Sequence, residues 1–415
     1  MRRTRGRWSP PIPETAGPYS MYLTSFIHRR NLLDIAERWF CGRPEKTDGL
    51  ALTEILICDG YVAGVTLEEL ARRLIGKIYP EPFEARRIHL KGELRDAILR
   101  CPREMGPRVQ ELCRAYRSNP DFYYTDAPIN GVMCLDGSGQ LVGLYRLKRP
   151  KRIAEKANRR LANWIFESVQ TRARRMAEER AGEYGIPLDR LLTPEREMVQ
   201  EFVQAERGIA RSFQAGEIKF DMDALTINDV AGMKIICDEE RLSRLQAAIA
   251  AEKDIEVVER EYFRGNYRAD SLILRVGWDR EQVERRYRDS RAWEKYLNRG
   301  VPEERLRAGI EPLFEGGDPR INVELILTTF PEMVESELGR SIHEERIIAQ
   351  RDNKVYKGYI PLNVEFLLEY LFSVGFSPEV NIDPPPIKMW GRYLPDTLTS
   401  YIRRLYRLPE YDFFF

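Results

Sequence analysis

The stretch Asn-Asp-Val-Ala-Gly-Met-Lys-Ile-Ile-Cys at residues 228–237 is the most informative part of the sequence for the fold class. A turn-forming Asn-Asp pair leads into a short apolar run, which is the pattern of a buried β-strand. An amphipathic helix is predicted directly after it, over 239–250. Two further apolar runs, 271–276 and 321–327, predict more strands. Strands that alternate with helices predict a mixed α/β (α+β) protein, with helices flanking a mixed sheet.

The part of the chain before this strand changes its pattern near residue 130. Residues 19–130 are mostly helical by pattern, and Thr66 is predicted to begin a helix as its N-cap because Glu68 and Glu69 follow it. Residues 130–147 then predict two short strands around a Gly-rich turn. We therefore expect a helical N-terminal module followed by a domain built on a sheet.

A helix of about 28 residues, predicted from Ile153 to Arg180, carries the main local excess of positive charge. Its apolar face includes Leu161, Trp164 and Ile165, which are predicted to be buried. Residues 146–180 contain twelve Lys and Arg against four Glu, whereas the whole 415-residue chain has 66 Lys plus Arg against 65 Asp plus Glu. The basic face predicts contact with a polyanion such as RNA or, alternatively, an ordinary solvated surface.

Composition disfavours several other classes of protein. The sequence has no run of about 18 uninterrupted apolar residues, so we expect no membrane span and a cytoplasmic protein. The six cysteines are isolated and only three histidines occur, which predicts reduced thiols and argues against a zinc site. Residues 1–18 are basic and Pro-rich and are predicted to form a flexible arm.

Four groups of residues are candidates for chemistry, and each has a plain structural alternative. One is the turn Gly265-Asn-Tyr-Arg-Ala-Asp-Ser271, whose aromatic ring and Arg suit stacking on a base. Arg146, Lys148 and Lys156 place cations at a strand end and on the first turns of a helix, as a polyphosphate site requires, although a solvated basic face has the same pattern. Asp229 is either a ligand carboxylate at a strand edge or the cap of a turn. Glu324 is a lone acid in an apolar strand, where it needs a partner or a metal ion unless it is exposed.

In order along the chain, these groups resemble the RelA/SpoT nucleotidyltransferase family, whose members transfer pyrophosphate from ATP to a ribose hydroxyl. Residues 146–156 resemble the family's R-x-K…K donor loop, and residues 228–236 its D-hydrophobic-A-G-x-R strand. Residues 323–329 are similar to its V-E-x-Q-I-R-T strand, and residues 333–343 to its A-E-x-G-x-A-x-H helix. Residues 265–267 lie where the family's N-G-Y-x-S-x-H motif falls.

The resemblance covers roughly residues 131–350 and implies a nucleotidyltransferase-like core in that range. Helical insertions are predicted near 160–216 and 278–319, and residues 351–415 are left as an aromatic-rich extension. The resemblance also implies roles for single residues. Arg146, Lys148, Lys156 and Lys234 bind the triphosphate of ATP; Asp229 and Glu324 hold Mg²⁺, and Glu324 also helps to deprotonate the acceptor hydroxyl; Tyr267, Arg268, Glu337 and His343 contact the acceptor.

The departures from the family pattern lie mainly on the acceptor side. Ile326 stands in place of the family's Gln, Thr328 in place of its Arg and Ser271 in place of its His. The acceptor is therefore left open between a purine nucleotide and the end of an RNA such as tRNA. No His-Asp dipeptide occurs, so the alarmone-hydrolase half of long family members has no candidate metal site.

Three interpretations follow from the sequence. The first is a magnesium-dependent pyrophosphokinase that uses ATP. The second is a catalytically inactive nucleotidyltransferase fold that binds RNA or a protein partner through its basic helix. The third is an ordinary α/β protein in which the matches are accidental.

Overall fold

The structure is a computed structural model, and it describes residues 23–102, 105–191, 194–217, 226–264, 267–339, 359–380, 387–393 and 395–407. Seven strands of these residues form one mixed sheet, with helices against both of its faces. The mixed α/β class, the flanking helices and the helices at the N-terminal side are thus confirmed. The arrangement is consistent with a nucleotidyltransferase-like core.

The strands follow the order β1-β2-β3-β4-β7-β6-β5 across the sheet. They are β1 (Glu84–Leu90), β2 (Pro128–Leu135), β3 (Leu141–Leu147), β4 (Ala231–Ile236), β5 (Ile255–Arg264), β6 (Arg268–Gly277) and β7 (Arg320–Thr328). Strands β4 and β7 are parallel at the centre of the sheet, and the other neighbouring pairs are antiparallel. Residues directly opposite on neighbouring strands share a face, so this register decides which side chains meet.

The helices surround this sheet. They are α1 (Arg29–Phe40), α2 (Asp48–Gly76), α3 (Lys91–Arg100), α4 (Pro107–Ser118), α5 (Pro150–Glu183), α6 (Glu195–Ala215), α7 (Glu239–Ala251), α8 (Arg280–Asp289), α9 (Glu303–Ala308), α10 (Phe330–Leu338), α11 (Tyr359–Val374) and α12 (Pro395–Leu405). Helices α5 and α6 occupy the first predicted insertion, and α8 and α9 the second. The predicted domain boundaries remain predictions.

Helix α2 is the central helix of one face of the sheet. Leu74 and Ile75 are fully buried against β3 and β4, and Gly143 of β3 lets the helix approach closely. A Cβ at Gly143 would lie 2.9 Å from Cδ1 of Ile75. The helix is long and apolar enough to cross a membrane by length and composition, but 67% of its most apolar window is buried inside the protein. Such burial is typical of a core helix.

The prediction that a helix begins at Thr66 is wrong, because Thr66 lies inside α2. Its hydroxyl donates a 2.8 Å hydrogen bond to the carbonyl of Val62, one turn earlier. A threonine can satisfy its hydroxyl in this way within a helix, so it does not have to cap one. Glu68 and Glu69 contact Arg286 of α8 through their carboxylates.

Two further groups of helices complete the fold, the first of them on the opposite face of the sheet. Helices α3, α4 and α10 cover its β1-β2-β3 side through a core that includes Ile98, Leu112 and Met333. Helices α1, α5, α6 and α11 form a second core around Phe40, Ile165 and Phe213. In α5, Leu161 and Ile165 are buried as predicted, whereas Trp164 is only partly buried.

Two strands were not predicted from the sequence. Strand β1 lies within the segment expected to be helical and pairs with β2, so the sheet extends into the N-terminal part of the chain. Strand β5 forms the opposite edge of the sheet and pairs only with β6 among the described strands. Both are edge strands with exposed side chains on both faces, and therefore neither shows the apolar alternation that marks a half-buried strand.

Residues 23–28, which we call the strap, cross the sheet at the ends where β4 and β7 begin. The backbone N–H of Thr24 donates to the carbonyl of Ile227, and the N–H of Asn322 donates to the carbonyl of Thr24. The Ser25 hydroxyl accepts from the N–H of Ala231 at 3.0 Å and donates to the carbonyl of Asn322 at 2.7 Å. The strap therefore holds together the two strands that carry the candidate carboxylates.

Candidate active site

The register of the central strands places Arg146, Gly232 and Glu324 side by side on one face of the sheet. Arg146 of β3 lies opposite Gly232 of β4, and Gly232 lies opposite Glu324 of β7. Because Gly232 has no side chain, the Glu324 carboxylate can lie over it; a Cβ at Gly232 would be 3.5 Å from Oε2 of Glu324. Glu324 thus points away from the apolar side chains of its neighbours Val323 and Leu325, which are buried on the opposite face.

Asp229 lies in the turn before β4, beside this row. Its Oδ2 is 2.6 Å from Nζ of Lys148, which follows β3, and its carboxylate also contacts Nζ of Lys156 on α5. Nζ of Lys148 lies 3.9 Å from Oε2 of Glu324. The structure therefore brings Lys148, Lys156, Asp229 and Glu324 together, although they come from separate parts of the chain.

Asn228 fixes the turn that carries Asp229. Its Oδ1 accepts hydrogen bonds from Oγ1 of Thr24 at 2.9 Å and from Nδ2 of Asn322 at 3.2 Å. The backbone N–H of Lys148 donates to the carbonyl of Val230 at 2.8 Å. The strap, the start of β7 and the end of β3 all contact this turn, so it is held from three sides.

Burial and charge act differently on the four groups. Burial alone would raise the pKa of Asp229, but the ammonium groups of Lys148 and Lys156 outweigh it and hold that pKa at about 2. Burial lowers the pKa of Lys148 to about 8, against the opposing effects of Asp229 and Glu324. Two ammonium groups stabilise the ionised carboxylate of Asp229, whereas Lys148 has to share that carboxylate with Lys156, whose positive charge disfavours the ammonium form of Lys148. Burial, aided by Asp229, raises the pKa of Glu324 despite the nearby Lys148.

A cavity of about 250 Å³ opens beside these residues. Lys156, Arg159 and Arg160 of α5 line one side, and Asp229 and Glu324 line another. Strand β5 adds Glu259 and Glu261, and β6 adds Ser271. Sequence reasoning missed Glu259 and Glu261, which the register places on the same face as Glu324. Their two-residue spacing next to a predicted turn was the available signal.

Lys234 and Glu337 lie further along the same face. Lys234 is two residues beyond Gly232 on β4, and its Nζ lies 3.7 Å from Oε1 of Glu337 and 3.3 Å from the sulfur of Met333. Burial lowers the pKa of Lys234, against the opposing effect of Glu337. The predicted donor residue Lys234 is thus paired with a predicted acceptor residue.

The other predicted acceptor residues lie near the start of β6. The ring of Tyr267 stacks on that of Phe263, with centroids 6.1 Å apart. The backbone N–H of Arg268 donates to Glu332 at 2.7 Å, and the Arg268 side chain is exposed. None of Lys234, Tyr267, Arg268 and Glu337 lines the described wall of the cavity. His343 lies outside the described residues, as do Gly265 and Asn266.

The residues that depart from the family pattern lie on the same face between these two groups. Ile326 of β7 is opposite both Lys234 and Ser271, and Ser271 is buried. The Thr328 hydroxyl donates to the backbone carbonyl of Arg268 at 3.2 Å. An apolar side chain and two small hydroxyls therefore stand where the family has longer polar groups.

The carboxylates of Asp229 and Glu324 suit a magnesium ion in their chemistry. Both contact Lys148 Nζ, so the sum of the two distances, 2.6 and 3.9 Å, limits their nearer oxygens to at most 6.5 Å apart. Two oxygen ligands of one magnesium ion lie at most about 4.2 Å apart, given ligand distances of about 2.0–2.1 Å. This limit includes the spacing that a shared ion requires, so Asp229 and Glu324 are candidate joint ligands.

Comparisons with known proteins add little to this geometry. A scan against models of protein families finds no match, and a search of curated proteins finds none. Among solved structures, the small alarmone synthetase 1 from Bacillus subtilis is similar, with a TM-score of 0.20 and 13% identity, over 45% of this chain and 72% of that chain. A likeness this weak carries no argument about activity, which has to be argued from the site itself.

Proposed function

We propose that the chain is a divergent RelA/SpoT-like pyrophosphokinase of the cytoplasm. In this proposal it transfers pyrophosphate from ATP to a ribose hydroxyl of a purine nucleotide or of an RNA end such as that of tRNA. One observation carries the proposal: Lys156, Asp229 and Glu324 line one cavity, and Lys148 contacts both carboxylates beside it. These residues are the ones singled out by their order in the sequence.

The cations of the site are proposed to bind the donor. Lys148 and Lys156, with Arg159 and Arg160 on the cavity wall, supply the positive charge that a triphosphate needs. A cavity of about 250 Å³ fits the phosphate end of a nucleotide, which leaves the base to lie outside it. Asp229 and Glu324 would hold Mg²⁺, which when bound neutralises charge on the phosphate oxygens.

The proposed reaction is a displacement at phosphorus. The oxygen of the acceptor hydroxyl attacks the β-phosphorus of ATP, and the bond from this phosphorus to the oxygen shared with the α-phosphate breaks. AMP leaves with that oxygen, and the hydroxyl proton passes to the carboxylate of Glu324. The raised pKa of Glu324 suits a general base better than an ordinary surface carboxylate would.

The direct test uses ATP labelled on its γ-phosphate, with magnesium and one acceptor at a time: GDP, GTP, ADP, AMP or bulk tRNA. We expect one acceptor to become labelled, with one AMP released for each labelled product. If labelled ATP binds but no acceptor is labelled and no AMP appears, the proposal is wrong.

A catalytically inactive module that binds RNA or a protein partner is the second candidate. It is favoured by the contacts of Asp229, whose carboxylate is already bound by two ammonium groups, and by Ile326 at a position where the family is polar. The same experiment separates the two candidates, because an inactive module binds its ligand without releasing AMP.

A further inference from the structure

A second cavity, of about 660 Å³, lies between α5, α6 and the C-terminal part of the chain. It is lined by three guanidinium groups and two aromatic rings. The guanidinium groups are those of Arg172 on α5 and of Arg207 and Arg211 on α6, and the rings are those of Tyr359, at the start of α11, and Trp390. We infer that this cavity binds a nucleotide unit, meaning a phosphate with its base, either as a free nucleotide or as one residue of a single-stranded RNA.

Among the described residues, the three arginines have no acidic ion-pair partner. None of them forms an ion pair with a carboxylate of the described residues, and no described Asp or Glu lines the cavity. Neighbouring arginines of α5 differ in this respect, because Arg174 pairs with Glu178 at 2.9 Å and Arg175 with Glu179 at 3.5 Å. The charges of these two outer arginines are thus offset by acids of the same helix, whereas the cavity arginines have no such partner among the described residues. Guanidinium groups favour phosphate, which they bind through two parallel hydrogen bonds.

The position of Arg172 depends on a glycine of the facing helix. Its guanidinium lies directly against Gly208 of α6, so that a Cβ at Gly208 would be 2.6 Å from Cζ of Arg172. Arg172 is also half-buried. This half-buried guanidinium has no carboxylate partner among the described residues, so an anion in the cavity would complete its surroundings.

The aromatic rings supply the surface for a base. The Trp390 ring packs against Gly42, where a Cβ would lie only 2.9 Å from the ring, and Gly42 has a φ of +67°, which a glycine adopts without strain. Tyr359 is half-buried, with the guanidinium of Arg392 5.3 Å from its ring centroid. Rings held in this way stack on any base because every base has a π-face.

This cavity is separate from the candidate active site. Lys156 and Arg172 are sixteen positions apart on α5, which is roughly 24 Å along the helix axis. The sixteen positions also turn the helix by about 160°, so the two side chains leave it on nearly opposite sides. The inference therefore goes beyond the proposed function and stands or falls independently of it.

The test measures binding of a fluorescently labelled single-stranded RNA octamer and, by equilibrium dialysis, of labelled GMP, to the full chain. The variant R172A/R207A/R211A is compared with R174A/R175A, which removes charge from the paired surface of the same helix. We expect the first to bind at least tenfold more weakly and the second to bind like wild type. For RNA, the slope of log affinity against log salt should become shallower by roughly 0.7 for each phosphate that the variant no longer neutralises.

Two single substitutions sharpen the test. Trp390→Leu removes the stacking surface and should weaken binding roughly 5- to 150-fold. Gly208→Ala displaces the Arg172 guanidinium without removing any charge, so it should weaken binding while thermal stability is kept or raised, since alanine favours a helix.

The outcomes are distinct. If the protein binds RNA but not GMP, the ligand of the cavity is single-stranded RNA. If it binds both probes, the cavity also accepts free nucleotides. The inference is overturned if the triple variant binds both probes like wild type, or if R174A/R175A loses as much affinity as the triple variant. Absence of pyrophosphate transfer in wild type would leave this comparison unaffected.

Discussion

The alternation of a single strand places the side chain of Glu324. Its neighbours Val323 and Leu325 are fully buried in the core on the α2 side of the sheet, and the side chain between them therefore reaches the opposite face, beside Gly232. Its carboxylate is compensated there by Lys148, and burial still raises its pKa. The folded protein disfavours the ionised form of Glu324, so this carboxylate is expected to contribute to the chemistry of the site and not to the stability of the fold.

Glu324→Gln should separate these two roles. The amide keeps the size of the side chain and removes a charge that burial and Asp229 both disfavour, so the melting temperature should be unchanged or raised. Pyrophosphate transfer should fall by roughly 10²–10⁴-fold from loss of the base alone. The control is Glu256→Gln. Glu256 is an exposed glutamate of β5 that pairs with Arg275 of β6. A Glu324→Gln variant that unfolds, or one that keeps the wild-type rate, contradicts the assignment.

The pKa of Lys148 predicts the pH dependence of donor binding. The ammonium form binds phosphate, and with a pKa of about 8 this form is complete well below pH 8 and is lost as the pH rises through that value. Asp229, with a pKa of about 2, stays ionised throughout this range. ATP affinity should therefore decline above about pH 8, whereas Lys148→Arg should not show this decline, since arginine stays protonated. An equal decline in both proteins would rule out Lys148 as the titrating group.

Close approach between elements depends on small residues at particular points. In β3, Gly143 lies under α2 and also beside the backbone of β4, since a Cβ there would be 3.1 Å from the carbonyl oxygen of Lys234. A flexible side chain could yield to this contact, but a strand backbone cannot. Gly64, in the middle of α2, has no atom within 4 Å of the position of a Cβ.

Substitution of these two glycines by alanine should have opposite effects. Gly143→Ala overpacks the contact between α2 and the sheet and should lower the free energy of unfolding by about 1–3 kcal/mol. Gly64→Ala should raise it by about 0.5–1 kcal/mol, because alanine favours the helix. Urea unfolding of both variants measures the difference. Equal effects of the two substitutions would contradict the packing of α2 described above.

Patterns in the sequence predicted the elements that have one apolar face. Strands β4, β6 and β7 and helix α5 have such a face, and the structure places each within a few residues of its prediction. Edge strands β1 and β5 were missed because charged side chains occupy both of their faces. Lys148, Lys156, Asp229 and Glu324 were predicted from their residue types and positions and from their order along the family's motifs. Glu259 and Glu261 reach it through strand register, which one sequence does not reveal.

The strap joins the sheet to α2 by contacts that no pattern in the sequence predicts. Thr24 and Ser25 form hydrogen bonds with residues about 200–300 positions later in the chain. At the end of the strap, His28 Nδ1 lies 2.6 Å from Oδ1 of Asp59, and the His28 N–H donates to the same carboxylate at 2.9 Å. Both side chains are buried, so the strap is fixed to α2 by a pair that water does not weaken.

This buried pair makes the stability of the whole chain depend on pH. Burial alone would lower the pKa of His28, but Asp59 and the carbonyls of Glu315 and Leu313 outweigh it, so the pKa is raised above 6.5. The stabilisation from protonated His28 is then complete below pH 6.5 and is lost as the pH rises through the folded-state pKa. Burial also raises the pKa of the Asp59 carboxyl, despite the opposing effect of His28. The stability that this carboxyl contributes is therefore also lost as the pH rises, beginning near pH 3.8.

Asp59→Asn should alter this dependence in a specific way. The amide oxygen still accepts from the backbone N–H of His28, but its NH2 group then faces Nδ1 and favours the neutral ring. With no charge on residue 59, burial is opposed only by backbone carbonyls, so the pKa of His28 should fall. The decline in unfolding free energy above about pH 6.5 should then flatten or reverse in the variant. Asp59→Ala also removes the acceptor and should cost about 3–5 kcal/mol. The measurement is urea unfolding at several pH values. The control is Asp254→Asn, which removes the charge of an exposed ion pair with Arg73. An unchanged slope in Asp59→Asn would show that the fixation of the strap does not depend on the charge of this pair.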